Sequence, residues 1–397
     1  MMMNHSTSSD ALDAEHSYPL SDDHATLSLQ SILLSHIKSQ GPLPFDQWMS
    51  QCLYHPSQGY YTKGDQRVGK RGDFFTAVSV GSLFGKILTH RIADFIKRHA
   101  AQDFTIIETG ANTGQLASDI LESLASDFPK LYARCNYTIC EPLSRMRATQ
   151  ISLLQKHRDK VTHIDQITKN ISKNELGIIL SNELIDAFPA KLITLANDEW
   201  LERHVSHQFD TFCWHDQPIL NTTLQSFADS LSGYPNNYTT EYRLGTQDYA
   251  ARCADPFTHS LCITIDYGYT TSELYHPDRI TGSLRCYSRH TADEDPLTEP
   301  GNKDITAHVN FSLLAAQMKE HGLEPQTFES QSRYLTLHSK NLLKQFEKQN
   351  PIEISKWIRQ FQTLTHPSMM GQRFLVLECI KGATPQPTVL EKLELNS

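Results

Sequence analysis

The stretch Phe104 to Gly114, reading F-T-I-I-E-T-G-A-N-T-G, constrains this chain more than any other. An apolar run, Phe104 to Ile107, ends in Glu108. Gly110 and Gly114 follow, and Gln115-Leu116-Ala117-Ser118-Asp119-Ile120-Leu121 continues at helical spacing. The pattern predicts a buried strand, a tight turn and a helix N-terminus. Such a unit directs backbone N–H groups and a helix dipole at a ligand beyond the carboxyl end of a parallel strand.

The flanking sequence repeats the theme. Tyr137-Thr138-Ile139-Cys140-Glu141 reads as a second strand closing on a carboxylate. A third is expected near Val161 to Ile164, and a fourth at Gly177-Ile178-Ile179-Leu180, which runs into Ser181-Asn182-Glu183. Ser260 to Gly268 gives a fifth, with Asp266 near its end, and Arg373 to Ile380 a late one. Helical patterns separate the first four, which predicts an α/β chain with a mainly parallel, doubly wound sheet. Residues 1–24 read as a disordered lead and 25–100 as a helical N-terminal lobe. In that lobe 64–85 is a glycine-rich loop and Leu83 to Ile96 an amphipathic helix. Residues 101–189 form the nucleotide-binding core and 190–259 an insertion with short strands at 191–195 and 200–205. The insertion is otherwise irregular from Gln208 to Tyr238. Residues 260–382 complete the core, with a long loop over 284–310 and helices at 311–321 and 337–365; 383–397 reads as a disordered tail.

Bulk properties narrow the function. The chain has 397 residues and a formal net charge of −9, with no block of lysine or arginine, which argues against a nucleic-acid partner. Eight cysteines include no C-x-x-C pair, so no metal site is expected and reduced thiols in a cytoplasmic protein are. No apolar run approaches the roughly 20 residues of a membrane span.

A dinucleotide turn needs a third glycine that Gln115 displaces here. E-x-G-x-x-x-G is instead the first motif of class I S-adenosylmethionine methyltransferases. Glu108 suits a cationic ligand, the glycines allow close backbone approach, and Glu141 offers two acceptor oxygens for a ribose diol. After the fourth strand, Glu183 and Asp186 are three apart, so a helical turn would put them on one face, where two carboxylates could hold a cationic acceptor. The alternative is that Asp186 caps a helix and Glu183 is solvated.

These stretches, together with G-P-L-P-F-D-Q-W-M (41–49), H-P-S-Q-G-Y-Y (55–61), G-D-F-F-T-A (72–77), L-F-G (83–85), S-N-E-L-I-D-A-F-P (181–189), I-D-Y-G (265–268), L-R-C-Y (284–287), P-G-N-K-D-I-T-A-H-V-N-F (300–311) and M-G-Q-R-F-L-V-L (370–377), resemble the MidA-like methyltransferases. That group includes the mitochondrial complex I assembly-factor arginine methyltransferase. The resemblance implies a Rossmann-like class I methyltransferase sheet with helices on both faces. It implies S-adenosylmethionine held by Gly110, Gly114 and Glu141, with Glu108 supporting and Asn112 in the turn. Gly72, Asp73 and Thr76 would cover the cofactor. It implies Asn182, Glu183 and Asp186 at the reacting end, and symmetric dimethylation of an arginine on a protein such as a respiratory-complex subunit. Arg285, His290, Asp304 and His308 receive no role. Asn112 stands where the family usually has glycine, and Asn310 where it usually has aspartate. An assembly factor keeping the fold as a scaffold and a small-molecule methyltransferase are the alternatives.

Overall fold

The computed structural model describes residues 27–63, 76–99, 102–168, 171, 175–288, 291–293, 295–346 and 350–396. The main sheet contains β1 (Phe104–Thr109), β2 (Cys135–Cys140), β3 (Val161–Ile164), β4 (Leu176–Asn182), β5 (His259–Tyr269), β6 (Leu323–Ser330) and β7 (Phe374–Lys381). Their order is 3-2-1-4-5-7-6. Strands β1 to β5 pair in parallel, and β7 lies antiparallel between β5 and β6. All six residues of β1 are buried, as a strand covered on both faces requires. Thr109 pairs with Cys140 on one side and Ser181 on the other, so the carboxyl ends of β1, β2 and β4 finish level. The chain order reverses between β1 and β4, where sheets of this kind open a crevice for ligands.

Strand β6 has no counterpart in the sequence reading. Its Pro325 and the register shift between Pro325 and Thr327 obscure the alternation, and an edge strand tolerates both. The expected disordered tail is corrected too. Pro387–Lys392 is a helix, and Val389, Leu390 and Leu393 are buried, with Val389 and Leu393 packing among Leu323 and Phe328 of β6.

Helices α1 (Leu29–Gln40) and α2 (Phe45–Tyr54) do not form a lobe of their own. They share a core with the segment after β4, where Phe45, Trp48 and Met49 meet Ala190, Leu192, Val205 and Phe212. Strand Leu43–Pro44 pairs antiparallel with Glu199–Gln208 and so joins the inserted sheet. The irregular stretch expected from Gln208 holds strand Thr211–Pro218 and helix Thr222–Ser230. Phe212 explains the strand, since its ring meets Trp48 at 4.6 Å edge-on. Asn221 explains the helix start, accepting the Leu224 N–H at 2.9 Å.

Helix α3 (Leu83–Ile96) belongs to the main core rather than to an N-terminal lobe. It packs with α4 (Gln115–Asp127) over Ile106 and Ile178. Contact is so close at Gly85 that a Cβ there would lie 2.6 Å from the Asp119 Cβ. From the same helix Arg91 reaches Glu378 of β7 through two bonds, 2.8 and 3.0 Å. Tyr334 and Thr327 donate to the same carboxylate at 2.6 and 3.2 Å, so both oxygens of the buried Glu378 are hydrogen-bonded. The loop expected over 284–310 contains a small antiparallel sheet, with Arg285–Ser288 flanked by Thr291–Asp293 and Asp304–Thr306.

Candidate active site

The carboxyl ends of β1, β2 and β4 open into a cavity of about 1360 Å³. Glu108, Gly110, Asn112, Glu141, Thr76, Asn182, Glu183 and Asp186 all line it. Gly114 stands one step behind as the N-cap of α4, at φ +85°. Thr76 caps helix Ala77–Val80 at the cavity edge, accepting the Ser79 N–H at 3.2 Å. Gly72 and Asp73 lie outside the described residues.

The turn after β1 needs left-handed backbone at three positions: φ is +70° at Gly110, +47° at Asn112 and +85° at Gly114. A Cβ on Gly110 would come within 2.6 Å of Leu184 Cδ1, a side-chain end that can turn away, so it is the left-handed backbone that calls for glycine there. Asparagine is among the residues that enter the left-handed region most readily, which accounts for Asn112 in place of glycine. Its carbonyl accepts from Gln150 Nε2 at 2.7 Å. The same nitrogen lies 3.3 Å from Glu141 Oε2, and Gln150 Oε1 is 3.1 Å from His163 Nε2. One buried amide thus ties the turn after β1 to the carboxylate after β2. Sequence reasoning missed Gln150, because a polar residue on a polar helix carries no signal.

Glu108 is buried and accepts the Tyr137 hydroxyl at 2.6 Å. Burial pushes its carboxyl up to about 7, and the Tyr137 bond opposes that rise. Glu141 accepts the Leu143 N–H at 3.0 Å, and burial again raises its carboxyl. Two asparagine acceptors, Asn112 Oδ1 and Asn182 Oδ1, are buried without a partner among the described residues. A cradle at Gly110, two carboxylates on neighbouring strand ends and two orphaned amide oxygens fit a cationic ligand with a diol and polar hydrogens.

The other half of the cavity is acidic. Glu183 does not share a helical face with Asp186: only Ile185–Ala187 form a 3₁₀ turn, and Glu183 precedes it at φ +50°. Both carboxylates nevertheless line the cavity. Nor does Asp186 cap the turn. Asp266, near the end of β5, does so, its Oδ2 accepting the N–H groups of Leu184, Ile185 and Asp186 at 3.2, 2.8 and 3.3 Å. Its Oδ1 accepts the Tyr267 N–H at 2.8 Å. The Glu183 N–H donates to the Ile265 carbonyl at 2.9 Å. This turn is therefore held by β5, not by local sequence.

Asp304 completes the acidic wall. Tyr61 donates to its two oxygens at 2.9 and 3.0 Å, and the Tyr61 ring stacks on Tyr54 at 5.5 Å. Burial raises the Glu183 carboxyl to about 8, with Asp266 and Asp304 adding to the rise. Asp186 is driven well above its ordinary value by burial and by Asp266, Asp304 and Glu183. The buried Arg243 spends its guanidinium on backbone carbonyls, those of Phe188, His308 and Asp186 at 3.2, 2.7 and 2.8 Å and that of Ala307. It fastens the Asp186 turn to the segment after Asp304. Arg285 and His308 also line the cavity, whereas His290 lies outside the described residues.

A sheet ordered 3-2-1-4-5-7-6, with its crevice beyond β1 and β4 and a glycine turn against it, defines a class I methyltransferase fold. Residues 87–329 match the profile of a family of S-adenosyl-L-methionine-dependent methyltransferases, and the chain belongs to that family. A Burkholderia thailandensis superfamily member, solved with S-adenosyl-homocysteine bound, superposes with a TM-score of 0.79 at 27% identity, covering 90% of this chain and 92% of that one. The Drosophila melanogaster protein named as a mitochondrial protein arginine methyltransferase NDUFAF7 homolog is 24% identical over 398 residues, covering 90% of this chain and 86% of its own length. The Homo sapiens protein arginine methyltransferase NDUFAF7 is 25% identical over 372 residues, covering 86% and 81%. The protein is a methyltransferase with S-adenosylmethionine as cofactor.

Proposed function

We propose that the methyl acceptor is an arginine side chain of a protein, and that arginine is symmetrically dimethylated. The observation that carries this reading is the acidic end of the cavity. Glu183, Asp186 and Asp304 line one part of the cavity, and the buried Arg243, which lies outside its lining, is committed to carbonyls. Two carboxylates held above their ordinary pKa values, Glu183 and Asp186, with Asp304 contributing to both rises, favour a permanently charged guest, and a guanidinium keeps its charge at any working pH. Its planar fork of N–H groups matches paired carboxylates. The names of the relatives support the same acceptor.

On this reading Glu108 faces the ammonium of the cofactor, Glu141 its ribose hydroxyls, and Gly110, Asn112 and Gly114 its methionine portion, with Thr76 at the rim. When bound, S-adenosylmethionine supplies a methyl group activated by its sulfonium. Glu183 and Asp186 orient the guanidinium so that one nitrogen points along the line of transfer, and Asn182 holds the Glu183 carboxylate through a 3.2 Å bond. The methylated nitrogen sheds one proton, which the Glu183 carboxylate accepts. A respiratory-complex subunit is the acceptor protein we propose to try first. Eight free cysteines support a reducing compartment, for which we propose the cytoplasm.

The test is incubation of the protein with methyl-labelled S-adenosylmethionine and a cell lysate, followed by acid hydrolysis of the labelled proteins. Symmetric dimethylarginine is expected. Label on lysine, on a carboxyl group or on low-mass products alone would overturn the reading.

A further inference from the structure

The acidic end is only part of the cavity wall. Strands Arg285–Ser288 and Asp304–Thr306 pair antiparallel, with Tyr287 opposite Asp304 and Arg285 opposite Thr306. Alternate residues of a strand share a face, and directly opposed side chains lie about 5 Å apart. All four line the cavity. This small sheet therefore presents a carboxylate at one position and a guanidinium two residues along. Arg285 makes a single hydrogen bond among the described residues, from Nη1 to the Leu284 carbonyl at 2.6 Å, and no ion pair. Arg373 is exposed immediately before β7. It also lines the cavity and has no side-chain partner among the described residues. Tyr287 lies between the two charges. Burial raises its hydroxyl, Arg285 and Arg373 oppose the rise, and Asp186 and Asp304 add to it. The cavity is bipolar: its wall carries the carboxylates of Glu183, Asp186 and Asp304 and also two guanidiniums, Arg285 and Arg373, that have no carboxylate partner among the described residues.

A lone arginine side chain would use only the acidic part. We propose that the acceptor carries a carboxylate beside its guanidinium, namely an arginine with an aspartate or glutamate within about three residues of it in the chain, the span that an extended segment covers in roughly 10 Å. Arg373 and Arg285 hold that carboxylate while the guanidinium enters between Asp186 and Asp304. Arginine–carboxylate pairing is directional, so this second contact selects the partner and positions the first. This specificity rests on the arginine reading given above.

The test extends the lysate experiment to Arg373→Glu, Arg373→Lys and Arg285→Gln, each full-length, with methylarginines mapped by mass spectrometry. S-adenosyl-homocysteine binding by calorimetry serves as the check on folding. Sites modified by the wild-type protein are expected to carry an acidic residue within three positions. Arg373→Glu is expected to lower their labelling by about tenfold or more, Arg285→Gln by less, and Arg373→Lys to retain most of it. Methylarginines without acidic neighbours, or labelling unchanged in Arg373→Glu, would overturn the proposal and leave the arginine reading standing. Label on no arginine at all would overturn both.

Discussion

The two halves of the cavity treat their carboxylates in opposite ways. On the cofactor side Glu108 and Glu141 sit apart, and each has its own donors: the Tyr137 hydroxyl for one, the Leu143 N–H and the Gln150 amide for the other. On the acceptor side Asp304 raises the carboxyls of both Glu183 and Asp186, Glu183 adds to the rise at Asp186, and Asp266 behind them is wholly occupied with backbone N–H groups. The first arrangement is complete before any ligand arrives. The second holds like charges together in a desolvated space, where they repel until a cation separates them. The cofactor half is therefore a preformed cradle, and the acceptor half gains most of its order from its guest.

The largest test of this contrast is the cap between the halves. Asp266→Ala removes the acceptor for three N–H groups of the 184–186 turn and leaves them buried without a partner. At roughly 1–3 kcal/mol for an abandoned buried donor, partly recovered by water, the protein should lose about 3 kcal/mol of stability. Methyl transfer should fall below detection. Thermal melting and S-adenosyl-homocysteine calorimetry together separate the two halves. If cofactor affinity collapses along with activity while the fold persists, the halves are not independent and the contrast fails.

Next in size is Glu183→Gln, which should reduce kcat/KM for an arginine substrate by about 100-fold, the loss of one charge-assisted contact and of the proton acceptor. The pH profile sharpens it. A guanidinium stays charged throughout, so only the ionised Glu183 attracts it. The wild-type kcat/KM should therefore rise with pH through about 8, and the glutamine variant should lose the part of that rise that Glu183 contributes, keeping only that of Asp186. Stability moves the other way. The Glu108 carboxyl rises from its ordinary 4.5 to about 7 on folding, so the unfolded chain ionises first, and the folded protein loses stability as pH climbs between those values. A cationic cofactor relieves that penalty, so its stabilising effect on the melting temperature should be larger at pH 8 than at pH 6.

The same contrast explains what could be read from the residues alone. The cofactor cradle is local. Strand, turn, helix and the next strand's terminal glutamate fall between Phe104 and Gln150, and periodicity plus glycine spacing displays them in order. Even there Tyr137 and Gln150 stayed hidden, since an aromatic in a strand and an amide on a polar helix look like ordinary structure. The acceptor half is assembled from Tyr54, Tyr61, Asp186, Arg243, Asp266, Arg285 and Asp304, which lie on separate elements. Asp266 was visible as a strand-end carboxylate, but its service to a turn some eighty residues earlier depends on β4 and β5 being neighbours. Asp304 was visible only as one charge in a stretch that gave no sign of being a sheet. The inserted sheet was underestimated for a related reason. Phe212 and Trp48 justify each other only once the N-terminal helices dock on that sheet, and no local pattern announces the docking.

The smallest expected effect lies inside the cradle, at Asn112. Its φ of +47° is left-handed, and its carbonyl, not its side chain, carries the bond to Gln150. Asn112→Gly keeps both the conformation and the carbonyl and removes only Oδ1, a buried acceptor without a protein partner among the described residues. Cofactor affinity should fall by about two- to tenfold if Oδ1 makes one neutral hydrogen bond to the ligand, roughly 0.5–1.5 kcal/mol, and by less if it makes none. Asn112→Val, by contrast, forces a β-branched residue into the left-handed region, at about 1–2 kcal/mol of strain. That strain should appear either as a lower melting temperature or as a turn that moves and weakens binding by about tenfold or more. Calorimetry on the pair distinguishes shape from chemistry. Equal losses in both variants would mean that the amide itself binds the cofactor; a loss confined to valine would mean that the turn's backbone is what the cofactor half requires of this position.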